Sequence, residues 1–182
     1  LLDHAREKGF SERDLLACGL AIRKSEESAR AYDRFRDRVM FTICDGAGRP
    51  IAFAGRAFEK DATPKYINSP ETLLYRKNKT VYGLHHSREA IKQAGMVLMV
   101  EGYMDYLALY QAGIKNVVAT CGTACTIEHG RLLRRFAPRL CLVFDGDSAG
   151  VEAAQRAVFT LAPLQTDISI CLLPAEEDPD SF

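Results

Sequence analysis

Three apolar runs in this chain each deliver acidic residues at or just beyond their ends. MVLMVEGYMD yields Glu101 and Asp105, LCLVFDGDSAG yields Asp145 and Asp147, and ISICLLPAEEDPD yields Asp178 and Asp180. Carboxylates gathered together repel one another and raise their own pKa values unless a cation sits among them. Hard oxygen ligands of this kind suit Mg²⁺ or Mn²⁺. A divalent ion held that way can neutralise and align the oxygens of a transferring phosphoryl group. Taken singly, Asp-Gly-Asp is often only a turn and Asp-Pro-Asp often only a capped loop. Their shared position behind strand-like runs is what points to a site.

The elements that must position these residues follow from the pattern. Each run is short and rich in Val, Leu, Ile or Met, the signature of a parallel strand buried on both faces. From Met96 the sequence alternates: strand 96–100, helix 103–112, strand 116–119, helix 126–136, strand 139–144, helix 148–162, strand 168–173. Four strands separated by helices predict an α/β fold, a parallel sheet with helices on both faces. In such sheets ligands bind beyond the carboxyl ends of the strands, where the carboxylates stand. Gly146, between Asp145 and Asp147, is expected to let the backbone turn so that both carboxylates approach one ion cluster.

The first half reads differently. LLDHAREKGFSERDLLACGL predicts two short helices broken at Gly9, the second opened by a capping box of Ser11 and Asp14 and closed at Gly19. RFRDRVMFTICDGAGRPIAFAGRAFEK predicts two strands joined by a hairpin at Asp45-Gly46-Ala47-Gly48. A turn-rich, cation-rich stretch then leads into a helix at about 87–94. The expected division is a small mixed α/β subdomain at 1–95 and a parallel-sheet domain at 96–182.

Bulk properties narrow the function. The net charge of zero divides into 17 Lys plus Arg against 13 Asp plus Glu in residues 1–90, and 7 against 11 in residues 91–182. A basic half suits an anionic polymer and an acidic half suits cations. No apolar run approaches the roughly 20 residues that span a bilayer, so no membrane role is expected. Six cysteines without a C-x-x-C pair read as free thiols of a cytoplasmic protein, and no zinc site is expected. His85 and His86 have no partner carboxylate at metal spacing and His4 and His129 lie in predicted helices, so all four read as surface residues and not as general bases. The chain opens in a helical pattern and stops after DPDSF, as an excised piece of a longer protein would.

Glu101-Gly102, Asp145-Gly146-Asp147-Ser148-Ala149-Gly150 and Asp178-Pro179-Asp180 resemble the TOPRIM domain of topoisomerases and primases. EGYMDYLALYQAGIKNVVATCGTACT, DGDSAG, RFRDRVMF, TPKYINSPET and YGL together, in order along the whole chain, resemble the RNA polymerase core of bacterial DnaG-type primases. The resemblance implies DNA-templated synthesis of short RNA primers from ribonucleoside triphosphates. Glu101, Asp145 and Asp147 would be catalytic and hold Mg²⁺ or Mn²⁺, with Asp105, Asp178 and Asp180 around the ions. Asp105 would orient the ligands. Gly122 and Thr123 would form a turn beside the metals, its backbone amide meeting a phosphate. Cys121 and Cys125 stand where the family commonly has Ser or Thr.

In the same family, cations matching Arg36, Arg38, Arg56, Lys65 and Lys77, with Tyr66 and Asn68, line a groove facing the metals and hold template or nucleotide phosphate. The residue types agree: Arg offers phosphate a planar fork, Lys a point charge, and Tyr a stacking face for an unpaired base. Implied partners are single-stranded DNA template, ribonucleoside triphosphates, the RNA primer and, through a domain outside these residues, the replicative helicase. Two other classes compete with this reading. A TOPRIM topoisomerase or nuclease would not carry TPKYINSPET or RFRDRVMF, and a fragment could bind single-stranded DNA without turnover.

Overall fold

The computed structural model describes residues 1–25, 30–59, 61–175, 177 and 179. In chain order the elements are α1 (Leu2–Glu7), α2 (Glu12–Ala17), β1 (Ala21–Arg23), β2 (Ala31–Asp33), β3 (Arg38–Cys44), β4 (Pro50–Ala57), β5 (Tyr66–Asn68), β6 (Val81–Tyr82), α3 (Leu84–Ala94), β7 (Met96–Val100), α4 (Tyr103–Gln111), β8 (Val117–Thr120), α5 (Ile127–Leu133), β9 (Arg139–Phe144), α6 (Ser148–Leu161) and β10 (Asp167–Leu172). Two compact units result. One holds Leu1–Ile43 with Pro50–Arg76, the other Cys44–Arg49 with Lys77–Phe182.

The second unit is built on a sheet of order β10-β9-β7-β8-β6. Its first four strands run parallel, with β7 between β8 and β9. β6 pairs antiparallel with β8. Residues 77–95, which the sequence pattern groups with the first half, therefore pack here. β6 completes the sheet edge, and α3 buries Leu84 and Ile91 in the same core as Val97, Met99 and Val118.

Strand alternation sorts the side chains. Val97 and Met99 of β7, Val118 of β8, and Leu140 and Leu142 of β9 meet α3, α5 and α6 on one face. Val100, Val117, Ala119 and Val143 meet Tyr106, Leu107 and Tyr110 of α4 on the other. The four parallel strands are close to the sequence reading, within one residue at each end. α3 begins three residues earlier than expected, because Gly83 caps it in the left-handed region (φ +82°) with no side-chain signal.

The first unit holds the antiparallel sheet β3-β4-β5 and the β1-β2 ladder. The Ser11–Asp14 capping box opens α2 as the sequence predicts. Gly19, at φ +71°, ends that segment where a Cβ would lie 2.3 Å from the Pro70 ring. At the β3–β4 turn, the Asp45 carboxylate accepts from the Ala47 and Arg49 amides and pairs with the Arg49 guanidinium. Among the described residues no helix is long and apolar enough to cross a membrane.

Candidate active site

The helix after β7 covers one face of the parallel sheet, while the helices after β8 and β9 cover the other. Diverging connections open a crevice at the carboxyl ends of adjacent strands. Glu101 follows the last residue of β7 and Asp145 the last residue of β9, so both stand at that crevice. A cavity of about 600 Å³ lies there, lined by Glu101, Asp145, Asp147, Thr120, Gly122, Thr123, Cys125 and Arg156 among others.

Hydrogen bonds hold the main chain at Glu101 and the carboxylates of Asp105 and Asp147. The Thr120 hydroxyl at the end of β8 donates to the Glu101 carbonyl (3.2 Å), tying the two strand ends together. Asp105 turns back on its own helix, where Oδ2 accepts from the Gly102 amide at 2.7 Å. Asp147 is the N-cap of α6, and its Oδ1 accepts from the Gly150 amide at 2.7 Å. Gly146 has no positive φ. Its need for glycine is close approach: a Cβ there would stand 2.0 Å from the Pro174 carbonyl oxygen and 2.5 Å from that of Leu173. The Gly146 amide donates to the Glu177 carbonyl, 3.2 Å away.

Electrostatics single out Glu101. Burial holds its pKa above the usual carboxylate range, and the charges of Asp145, Asp105 and Asp147 push it further, while Arg156 opposes them. An acid raised by three neighbouring acids is a place where a cation is stabilised. The carboxylates of Glu101, Asp145 and Asp147 are all hard oxygen donors, the chemistry that divalent cations favour. Among the described residues no three acidic, His or Cys side chains gather tightly enough to form a complete ion site by themselves. Asp178 and Asp180 lie outside the described residues.

Gly122, at φ +69°, and Thr123 line the same cavity as the acids. The Thr123 hydroxyl is buried without a hydrogen-bond partner among the described residues. Cys125 also lines it; burial pushes its thiol up to about 12, so it is a neutral, unreactive group at physiological pH. Arg156 carries no motif that marks it in the sequence. Four residues after Glu152 and within 3.3 Å of it, it reads as half of a surface pair on α6. The available signal was helical spacing: Ala149, Ala153, Arg156 and Thr160 share the α6 face that lines the cavity.

The basic residues of the first unit divide by role. Arg38 donates to the carbonyls of Gly55, Pro64 and Lys65 at 2.9–3.3 Å, so its fork fastens the chain ahead of β5. Arg56 and Tyr66 are register partners on β4 and β5, with the guanidinium 5.8 Å from the ring centroid. Arg36 is exposed and lies 5.1 Å from the Tyr32 ring, and Lys65 is exposed. The Asn68 carbonyl accepts two bonds from Arg34, a residue outside the expected set of cations. Lys77 belongs to the second unit, in a single 3₁₀ turn at Lys77–Lys79. His129, expected at the surface, is fully buried.

Comparison with known proteins identifies relatives of both halves of the chain. Residues 1–88 match the family model of the DNA primase catalytic core N-terminal domain, and residues 98–182 match a Toprim-like family model. A DNA primase of Legionella pneumophila is 46% identical over 184 residues, covering 98% of this chain and 32% of the relative. The chain thus spans about a third of the length of that curated relative. A crystal structure of a DNA primase domain from Pseudomonas aeruginosa superposes with a TM-score of 0.89 at 43% identity, covering 98% of this chain and 57% of that one. A DnaG primase catalytic domain bound to single-stranded DNA gives a TM-score of 0.87 at 40% identity, with 98% and 56% coverage. Two family models in series, matched across nearly the whole chain with the acids at the strand ends, mean that this chain belongs to the catalytic core of the bacterial DnaG-type DNA primase family.

Proposed function

We propose that this chain carries the chemical centre for DNA-templated synthesis of short RNA primers from ribonucleoside triphosphates during replication. The observation that supports it most directly is the convergence of Glu101, Asp145 and Asp147 on one cavity at the carboxyl edge of a parallel sheet. Glu101, Asp145 and Asp147 are the proposed holders of Mg²⁺ or Mn²⁺, and Asp178 and Asp180, outside the described residues, are proposed as further acids of the same site. When bound, the metal would neutralise the triphosphate and lower the pKa of the primer 3′-hydroxyl.

The chain's own residues do the rest. Asp105 and Asp147 cap α4 and α6, which fixes the strand-to-helix turns that carry the site. Gly122 and Thr123 offer a tight turn, and a hydroxyl without a partner among the described residues, to phosphate oxygens in the same cavity. Arg156 supplies the positive charge that keeps Glu101 from being protonated too readily. No side chain is required as a nucleophile, because the attacking group is the primer hydroxyl.

Template is assigned to the basic first unit and to Lys77. Arg36, Arg56 and Lys65 would meet phosphates, Tyr66 would stack an unpaired base, and Asn68 would add polar contacts. Arg38 acts by holding the Pro64–Lys65 segment. A related catalytic domain has been solved with single-stranded DNA, which supports this choice of polymer. The helicase contact is assigned to a domain outside these residues.

The decisive test is template-directed incorporation of labelled ribonucleotide on single-stranded DNA with Mg²⁺ or Mn²⁺. Asp145→Asn should cut synthesis by on the order of a hundredfold or more while leaving the fold intact by circular dichroism. An Asp145→Asn protein that synthesises like the parent would refute the site.

A further inference from the structure

His129 is buried, and both of its ring nitrogens are engaged. Nδ1 accepts from the Thr126 amide at 3.3 Å, and Nε2 lies 2.8 Å from the Lys77 carbonyl oxygen. A carbonyl only accepts and an amide N–H only donates, so the ring must be the neutral tautomer with its proton on Nε2. Burial favours the neutral ring.

Two neighbours act on the same segment. The Thr126 hydroxyl donates to the Asn78 carbonyl (2.7 Å), and the Cys121 thiol donates to the Thr80 carbonyl (3.7 Å). Three side chains from residues 121–129 therefore satisfy three carbonyls of Lys77–Thr80. That segment is a short 3₁₀ turn, whose backbone bond from Thr80 to Lys77 is long (3.5 Å). So short a turn has little stability of its own. Its shape, and with it the origin of the Lys77 and Lys79 side chains, is set by the stretch that also carries Gly122 and Thr123 into the cavity.

We infer that His129 is a positioning residue: it holds the Lys77–Lys79 turn as a rigid cationic arm for the phosphate backbone of single-stranded nucleic acid. The inference rests on the reading of Lys77 given above. It separates His129 from a ring that merely fills space, because a filler would weaken the protein without changing what Lys77 contributes.

A double-mutant cycle tests this, with binding of a fluorescein-labelled oligodeoxythymidylate to the parent, Lys77→Ala, His129→Ala and the double variant at low salt. Lys77→Ala should weaken binding about fivefold in the parent, the scale of one exposed ion pair. In the His129→Ala background the same change should cost less than about twofold, the sign of coupled residues. His129→Gln, whose amide N–H can reach the same carbonyl, should restore most of the Lys77 effect. Should His129→Ala fail to melt cooperatively, Thr126→Val, which removes the side-chain donor to the Asn78 carbonyl, takes its place in the cycle. A Lys77 effect that persists undiminished in the second background overturns the inference and leaves the reading of Lys77 standing. A Lys77→Ala protein that binds like the parent overturns both.

Discussion

Glu101 carries a conflict that belongs to a single residue. Its folded pKa lies above the ordinary 4.5 because burial and three acids oppose its charge. The folded state therefore binds a proton more tightly than the unfolded chain does. Glu101's contribution to stability is greatest at low pH and declines as pH rises through the folded pKa, leaving a cost at neutral pH. Glu101→Gln should remove that cost. Because the side chain keeps solvent access, the gain is capped at about 1 kcal/mol, read as a small rise in Tm without divalent ions. Millimolar Mg²⁺ should raise the Tm of the parent and not of Glu101→Gln, since only the parent gains by binding. A Glu101→Gln protein that melts lower than the parent without metal would refute this account of the site.

His129 has the opposite sign. Its folded pKa lies below the ordinary 6.5, chiefly through burial. As pH falls below about 6.5 the unfolded chain takes up a proton that the folded state refuses, so stability present above that pH is lost. His85 shifts the same way through burial and the nearby His86, so the assignment comes from a difference. Between pH 7.5 and 5.5, His129→Gln should lose less Tm than the parent. Equal losses would assign the effect to other groups.

At the scale of elements, two acids of the site are also helix caps. Asp147 is the N-cap of α6, and Asp105 accepts from the amide of Gly102, the N-cap of α4, so if these acids serve the proposed chemistry a substitution there changes stability and chemistry together. The two can be separated. Asp147→Asn keeps a capping oxygen and should hold stability within a few tenths of a kcal/mol, whereas Asp147→Ala should cost about 1 kcal/mol. Both should fail in primer synthesis. A fully active Asp147→Asn would show that only the cap matters.

The same scale explains what can be read from the residues alone. β7, β8 and β9 are legible because burial on both faces makes each a nearly continuous apolar run, whereas β10, expected to be buried in the same way, is an exposed edge strand with Ile170 and Leu172 open to solvent. The acids stand out because they follow strand ends, where ligands bind in such sheets. β5 and β6, three and two residues long, carry too little pattern to be seen and exist through pairing with β4 and β8. His129 reads wrongly as a surface residue because its partner carbonyl is 52 residues away, a relation no local spacing encodes. Arg156 looks like an ordinary i,i+4 surface pair, and Gly146 like a turn residue when the real constraint is the backbone of residues 173 and 174.

At the scale of the whole molecule, the basic excess of the first half of the sequence is only partly carried by the first compact unit, because Lys77, Lys79 and Arg88 belong to the second. If the first unit holds template through its cations and the second holds metal by carboxylates, the two functions should fail separately. Every phosphate that a cation neutralises releases counterions, so for single strands the slope of log K against log salt falls by about 0.7 for each such ion pair removed. Arg56→Ala with Lys65→Ala should therefore weaken binding to single-stranded DNA at low salt and lower that slope by about 1.4. The Mg²⁺-induced rise in Tm should stay at the parental value. Asp145→Asn should do the reverse, abolishing the Mg²⁺ response while keeping the parental salt slope. Arg38→Ala is the control within the first unit: its guanidinium is bonded to three carbonyls, so its removal should lower Tm and change the slope less than Arg56→Ala does. A parental salt slope in the Arg56→Ala, Lys65→Ala protein would remove the template from this face of the first unit. It would leave the acidic cavity as the part of the proposal still standing.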